Sequence, residues 1–281
     1  MFNPLVTVCV ITYNSEKYVF DTLESISSQS YQNIELIVSD DCSSDGTVEL
    51  VDAWLEKNKS RFVSVQLITA QKNTGVTGNC NRAYKAAHGV YVKDIGGDDM
   101  LLPEYIERCI SYFSEHLDCS ALFTDMRLYV EAKNKFVNSK VDKKLYDLSA
   151  EQQYFAMQQR DYQIPTPAVI YKTATIKQLG YFDERFPMWE DGPMYFKLTK
   201  HGIKLEFLDF IGVTYRVREN SLSNKVPYQH KISLADFYFK EILQTEIHKN
   251  LFKTIFHVLK FCLFKMSFIP FVNSLSDLLV R

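Results

Sequence analysis

Tyr91-Val92-Lys93-Asp94-Ile95-Gly96-Gly97-Asp98-Asp99-Met100 is the stretch on which the fold and chemistry of this chain turn. A short apolar run able to form a buried strand ends in two glycines and two adjacent carboxylates, and Pro103 then opens a helix. Asp98 and Asp99 therefore sit at the carboxyl end of a strand, where open α/β sheets bind their ligands. Glycine lets the backbone turn sharply and approach a ligand, and two neighbouring negative charges repel unless a cation lies between them. A hard ion such as Mg2+ or Mn2+, shared with a ligand's phosphates, would relieve that repulsion. The rival account is an acidic turn in which Asp99 caps the next helix.

Upstream, the Val- and Ile-rich run Leu5 to Thr12 reads as a buried strand, followed by a helix capped at Asn14 or Ser15 with Tyr18, Val19, Leu23 and Ile26 on its apolar side. Ile34 to Ser39 is a second strand, ending in another acidic pair, Asp40-Asp41. Asp45-Gly46 turns the chain into a helix from Thr47 that aligns Val48, Val51, Trp54 and Leu55. Val63 to Thr69 is a third strand, and Asn73 to Ala87 a glycine loop leading into a helix that Gly89 would cap. Four strands alternating with three helices predict a mostly parallel, Rossmann-like sheet with helices on both faces, a nucleotide-binding architecture. Asn73-Thr74-Gly75-Val76-Thr77-Gly78 is not GxGxxG, and no GxxxxGK occurs, so dinucleotide cofactors and P-loop chemistry are disfavoured.

Downstream, a helix over 104–115 and a strand over 121–129 precede a charged connection, Lys133 to Lys144, read as a hairpin or mobile loop. A helix over 150–159 is stopped by Pro165-Thr166-Pro167, which introduces a strand over 168–171. A third acidic pair, Glu190-Asp191, lies among aromatic residues beside Met188 and Trp189, just before a helix from Pro193 that Gly202 ends. An acid beside Trp189 would be desolvated and so a better base; the alternative is that Asp191 caps the helix.

The 281 residues carry a net charge of -2, which argues against a nucleic-acid partner. Six scattered cysteines without a CxxC pair indicate neither zinc nor a disulfide framework and suit a reducing cytoplasm. The first apolar run is too short for a leader peptide, and no stretch is long and apolar enough to span a membrane.

Taken together, several stretches resemble glycosyltransferase family 2, the inverting enzymes with the GT-A fold. They are Val8 to Asn14, Ile34 to Thr47, Asn73-Thr74-Gly75 with Asn81, Gly97-Asp98-Asp99, Phe182-Asp183-Glu184 with Glu190-Asp191, and Tyr215-Arg216-Val217 with Ser221-Leu222-Ser223. The resemblance covers roughly residues 5 to 224 in family order. It implies that Thr12, Tyr13 and Asp41, with Asn14, Asp40, Asn73 and Gly75 around them, hold the nucleotide of a sugar donor, most often uridine. It further implies that Asp98 and Asp99 bind ribose and a divalent metal on the diphosphate. Asp191 matches the catalytic base, supported by Trp189, Glu190 and Gly97. Two positions depart from the pattern. Gly96 stands where many relatives carry a further Asp, and Arg218 where many carry a histidine. An arginine there could grip the diphosphate directly and lessen the need for metal; its rival reading is a solvated surface arginine.

The expected organisation is a GT-A domain over 1–224 and a helical extension over 225–281. The expected activity is transfer of a sugar from a nucleoside diphosphate to a hydroxyl of a glycan or lipid-linked saccharide, in bacterial surface polysaccharide synthesis. Two other classes stay open: a sugar nucleotidyltransferase, which would need a basic glycine-rich loop that Tyr13 to Lys17 lacks, and a non-catalytic glycan-binding scaffold on a degenerate fold, which Gly96 and Arg218 favour and Glu190-Asp191 opposes. In the tail, Lys249, Lys253, His257, Lys260 and Ser267 share one narrow helical face and Lys265 falls off it. Such a helix could lie on the anionic cytoplasmic face of the inner membrane, pack on the catalytic domain or pair two subunits as a homodimer.

Overall fold

The computed structural model describes residues 2–159 and 162–218. By internal contacts Met1–Glu219 form one compact unit and Asn220–Arg281 another. The predicted boundary at 224, Ser221-Leu222-Ser223 and the amphipathic tail lie outside the described residues, so the membrane and dimer readings of the tail stay expectations.

The first hundred residues fold as their alternating pattern predicts. β1 (Val6–Thr12), β2 (Ile34–Asp40), β3 (Ser64–Thr69) and β4 (Tyr91–Gly96) alternate with α1 (Val19–Ser27), α2 (Thr47–Asn58) and α3 (Gly75–Ala86). The strands pair in parallel in the order β3-β2-β1-β4. β1 and β2 are buried almost throughout, as expected for parallel strands covered on both faces. The period of two divides their side chains. Val6, Val8, Val10, Ile34, Leu36 and Val38 pack with Leu23 and Ile26 of α1 and with Val51, Trp54 and Leu55 of α2. Each such fully buried aliphatic side chain contributes about 1.5–3 kcal/mol. The alternate set, with Thr7, Cys9, Glu35 and Ile37, faces the other way. Right-handed crossovers place α3 there, because the chain reverses direction between β3 and β4. That reversal makes the carboxyl ends of β1 and β4 the switch point where an α/β sheet opens a crevice.

Beyond β4 the sheet is mixed, so the parallel order expected of most of it stops at β4. β8 (Val169–Lys172) inserts antiparallel between β4 and β6 (Ala121–Val130). The long β9 (Leu205–Val217) runs parallel to β6 and antiparallel to the two-residue β5 (Met100–Leu101). The charged connection is a hairpin, with β7 (Lys135–Asn138) antiparallel on β6. α4 (Tyr105–Glu115), α5 (Ala150–Gln159), α6 (Thr173–Gln178) and α7 (Asp191–Lys200) complete the unit. Gly180 and Gly202 take positive φ where a left-handed residue ends α6 and α7.

Two local expectations are corrected. Tyr18, not Asn14 or Ser15, is the N-cap residue of α1, and it makes no side-chain cap bond. Gly89 is not a left-handed cap of α3: the helix ends with Ala87 extended, and Gly89 is needed because a Cβ there would lie 2.5 Å from the Thr7 nitrogen. The Gly89 N–H donates instead to the Thr7 hydroxyl, which itself donates to Glu35. Cys9, Cys80, Cys109 and Cys119 are buried, Cys42 is exposed, and all five are free thiols. No helix among the described residues is long and apolar enough to cross a membrane.

Candidate active site

The loops after β1, β2 and β4 meet at the switch point. Asn14 and Cys42 both adopt positive φ there, an uncommon conformation for non-glycine residues that recurs at functional loops. The Asn14 side-chain oxygen accepts from the Ser44 N–H at 2.8 Å, and the Asn14 N–H donates to the Ser43 hydroxyl at 2.8 Å. Asp40 accepts from the Thr12 hydroxyl at 2.8 Å and from both the N–H and the hydroxyl of Ser43. Asp41 accepts from the Thr74 N–H and hydroxyl, the Gly75 N–H at 2.8 Å and the Arg82 guanidinium at 3.1 Å. Thr12, Asp40 and Asp41 are thus fully buried and build the wall from within. Tyr13, 50% exposed, presents an aromatic ring at its rim, and Asn73 caps the adjoining turn by accepting from the Gly75 N–H. Gly75 has φ +81°, and a Cβ on it would lie 2.5 Å from the Pro187 carbonyl. Here the loop that opens α3 touches the loop that carries the acidic pair Glu190-Asp191.

The same α3 that starts at Gly75 holds that second loop. Thr77 donates through its N–H to the Pro187 carbonyl and through its hydroxyl to the Phe186 carbonyl. Asn81 donates to the Phe182 carbonyl and accepts from its N–H. Asp191 is consequently presented as the first residue of α7, where the helix dipole favours a negative charge. It accepts from the Thr166 hydroxyl at 2.7 Å and from the Gly192 N–H at 2.7 Å. Trp189 lies across the start of the helix: a Cβ on Gly192 would sit 2.2 Å from the indole ring. The carboxyl of this pair that the interior raises is Glu190's, pushed up to about 8 first by burial and then by the charge of Asp191. Glu190 therefore carries its proton at neutral pH.

This has a consequence for stability. The Glu190 pKa of about 8 in the folded protein lies above the ordinary 4.5. Between those values the folded protein keeps a proton that the unfolded chain releases, so this group makes stability fall as pH rises from about 4.5 to about 8. Glu190→Gln removes the slope. Its melting temperature should gain on the wild type steadily between pH 5 and pH 8, and parallel curves would refute the assignment. A second expected outcome concerns Thr166. Thr166→Val removes one hydrogen bond to a charged carboxylate, worth about 1.5–3 kcal/mol. The turnover number should fall by about tenfold or more with donor affinity unchanged, and Thr166→Ser should restore it; steady-state kinetics read both.

Asp98 and Asp99 converge on Gly96, whose missing Cβ would lie 3.0 Å from an Asp98 oxygen and 3.5 Å from an Asp99 oxygen. Gly97 permits the turn to press against β1, since a Cβ there would meet Thr12 at 2.9 Å. Burial raises both carboxyls; at Asp99 the charge of Asp98 adds to it. Arg216, 7% exposed, ties the turn from beneath. Its N–H donates to an Asp99 carboxylate oxygen at 2.8 Å, its Nε to the Asp98 carbonyl at 2.9 Å, and its guanidinium also pairs with Asp21 at 2.7 Å. Arg218 contacts the Asp98 carboxylate at 2.5 Å, so it is an element of the site rather than a solvated surface charge. Among the described residues no three His, Cys, Asp or Glu side chains are grouped to hold a metal. Two converging carboxylates whose pKa values are raised fit one divalent ion whose remaining ligands come from a bound diphosphate.

Arg216, Arg82, Thr77 and Thr166 carry no site role in the sequence reading. Arg82 offers the one signal, a cation about two helical turns past Asn73-Thr74-Gly75 on a helix that must face β2.

Comparison with known proteins agrees with this geometry. Residues 7–178 match the model of glycosyl transferase family 2, and Asp191 and Arg218 lie beyond that match. An uncharacterised glycosyltransferase of Methanocaldococcus jannaschii is 26% identical over 79% of this chain and 75% of its own length. The poly(ribitol-phosphate) beta-N-acetylglucosaminyltransferase TarS of Staphylococcus aureus is 29% identical over 83% of this chain but only 38% of its own. The putative glycosyltransferase EpsE of Bacillus subtilis is 31% identical over 46% of this chain and 45% of its own. A crystal structure of TarS residues 1–349 with UDP-GlcNAc superposes with a TM-score of 0.66 at 23% identity, covering 84% of this chain and 66% of that one. The nucleotidyltransferase alternative is thereby set aside: the chain belongs to glycosyl transferase family 2.

Proposed function

We infer that this chain transfers a sugar from a nucleoside diphosphate donor, with UDP as the first candidate, to a hydroxyl of a glycan or lipid-linked saccharide, with inversion. The observation that carries the reading is that α3 joins two carboxylate sites: its first turn is bonded to Asp41 beside the Asp98-Asp99 crevice, and its Thr77 and Asn81 hold the loop that presents Asp191. Tyr13 offers a face for the nucleobase. Asp191, fixed by Thr166 and Gly192, takes the proton of the acceptor hydroxyl as that oxygen attacks the anomeric carbon; one displacement inverts the centre and releases the nucleoside diphosphate. Asp98 and Asp99 would hold Mn2+ or Mg2+, which when bound supplies positive charge to the leaving diphosphate. Arg218 already places a guanidinium on Asp98 and can donate two parallel hydrogen bonds to phosphate oxygens. Part of the metal's task therefore falls to Arg218. Relatives named as a poly(ribitol-phosphate) beta-N-acetylglucosaminyltransferase and as a putative teichuronic acid biosynthesis glycosyltransferase support a place in bacterial surface polysaccharide assembly.

A screen of nucleotide sugars with Mn2+ and with EDTA tests the reading. One UDP-sugar should raise the melting temperature and slowly release UDP. A fraction of that release should persist in EDTA and disappear in Arg218→Ala. No response to any donor would overturn the transferase reading, and complete loss of wild-type turnover in EDTA would overturn the role of Arg218.

A further inference from the structure

The β6–β7 hairpin is not used by the mechanism above, yet it grows from the strand pair that carries the site. Tyr129 lies opposite Arg216 and Arg127 opposite Thr214 across β6 and β9. From the hairpin a continuous strip of alternating rings and guanidinium groups leads to the acids. Phe136 lies under Arg127 (4.5 Å to the ring centroid) and against Tyr129 (5.0 Å between rings). Tyr129 faces Arg216 at 5.5 Å, and Tyr18 lies beneath both Arg216 (5.0 Å) and Arg218 (4.9 Å), which touches Asp98. Along the hairpin and the connection after it, residues 131–144 hold five lysines against two acids in a chain whose net charge is -2. Glu131 is taken by Lys17 at 3.0 Å and Lys143 by Asp209 at 2.6 Å. Lys133, Lys135, Lys140 and Lys144 are exposed and meet no carboxylate among the described residues.

We propose that this hairpin is the acceptor platform and that the acceptor is an anionic glycan or polyol chain, carrying phosphate or carboxylate groups. The proposal rests on the transferase reading and names its acceptor class. Sugar rings stack on aromatic faces, and Phe136 is 52% exposed. The unpaired lysines attract a repeating negative charge and steer it towards the crevice. A solvated charge run would not be backed by an ordered row of rings reaching Asp98. A membrane is the poorer partner, because the exposed Phe136 ring is held between the Arg127 guanidinium and the Tyr129 ring rather than within an apolar patch.

The test is calorimetric titration of the full chain at low salt with four probes: a polyol-phosphate octamer, a hyaluronan octasaccharide, neutral maltooctaose, and phosphatidylglycerol vesicles, with UDP as internal control. One charged oligomer should bind at least about tenfold tighter than maltooctaose. Lys135→Glu with Lys140→Glu should weaken it by about tenfold, and Phe136→Ala by about fivefold. Neither change should move UDP affinity or melting temperature. Equal binding of maltooctaose, charged-oligomer binding unchanged in both variants, absence of oligomer binding, or binding to vesicles alone would overturn the proposal. Failure of the wild type to bind UDP would count against the donor reading and leave the platform standing.

Discussion

Asp191→Asn should lower the turnover number by about a thousandfold, within the range of 10²–10⁴ that a positioned general base contributes. The substitution is isosteric. The Gly192 N–H can still donate to the amide oxygen, and the Thr166 hydroxyl, turned to accept, can take a hydrogen bond from the amide NH2, so the head of α7 keeps its geometry. What disappears is the basic oxygen that takes the acceptor's proton. UDP affinity should be unchanged, since the nucleotide wall belongs to the loops after β1, β2 and β4 and not to α7. Parallel measurement of turnover with acceptor and of UDP binding separates the two effects. A variant within tenfold of wild type would sink the assignment of the base and revive the scaffold reading. Loss of UDP binding together with turnover would point to collapse of the loop that Thr77 and Asn81 hold.

The second large effect is expected in stability. Asp41→Ala strips acceptors from three neutral donors on Thr74 and Gly75 and from the Arg82 guanidinium. Removing one partner of a largely buried ion pair costs about 3–5 kcal/mol, because the remaining charge is left uncompensated. For a unit of this size each kcal/mol lowers the melting temperature by about 2–4 °C, so a drop of about 6–20 °C should appear in a thermal scan. Arg82→Met in the same chain should recover part of the loss, because it removes the stranded cation. The double variant is then more stable than the sum of the single effects predicts. A drop under about 3 °C for Asp41→Ala would show that Asp41 does not anchor the start of α3, and with it the bridge between the two halves of the site.

Those two residues also show how far the chain could be read before its fold was known. Asp98 and Asp99 announced themselves because a strand, two glycines and two acids are contiguous, and contiguous chemistry is visible in one dimension. Asp191 stands out as a candidate by the same logic, though the carboxyl of its pair that burial raises is Glu190's. The role of Arg216 could not be seen: it lies over a hundred residues from the turn it supports, and nothing in Tyr215-Arg216-Val217 distinguishes a buried clamp from an alternating strand residue. Gly89 was assigned the common role of a helix cap, whereas its reason is a close approach to Thr7, a contact with a distant strand.

By itself the sequence determined the alternation of the first four strands and three helices, the crevice at their carboxyl ends and the acids that line it, because periodicity and turn chemistry are local. Only the tertiary structure decided which buried acids support and which residues face the crevice. Thr12, Asp40 and Asp41 spend their oxygens on the protein's own donors and leave Tyr13 at the rim. It also decided the mixed half of the sheet, the insertion of β8 between β4 and β6, the joining of two sites by α3 and the row of rings running to Asp98. Each depends on pairing between segments far apart in the chain, where burial and hydrogen-bond satisfaction select the partner after local propensity has been spent.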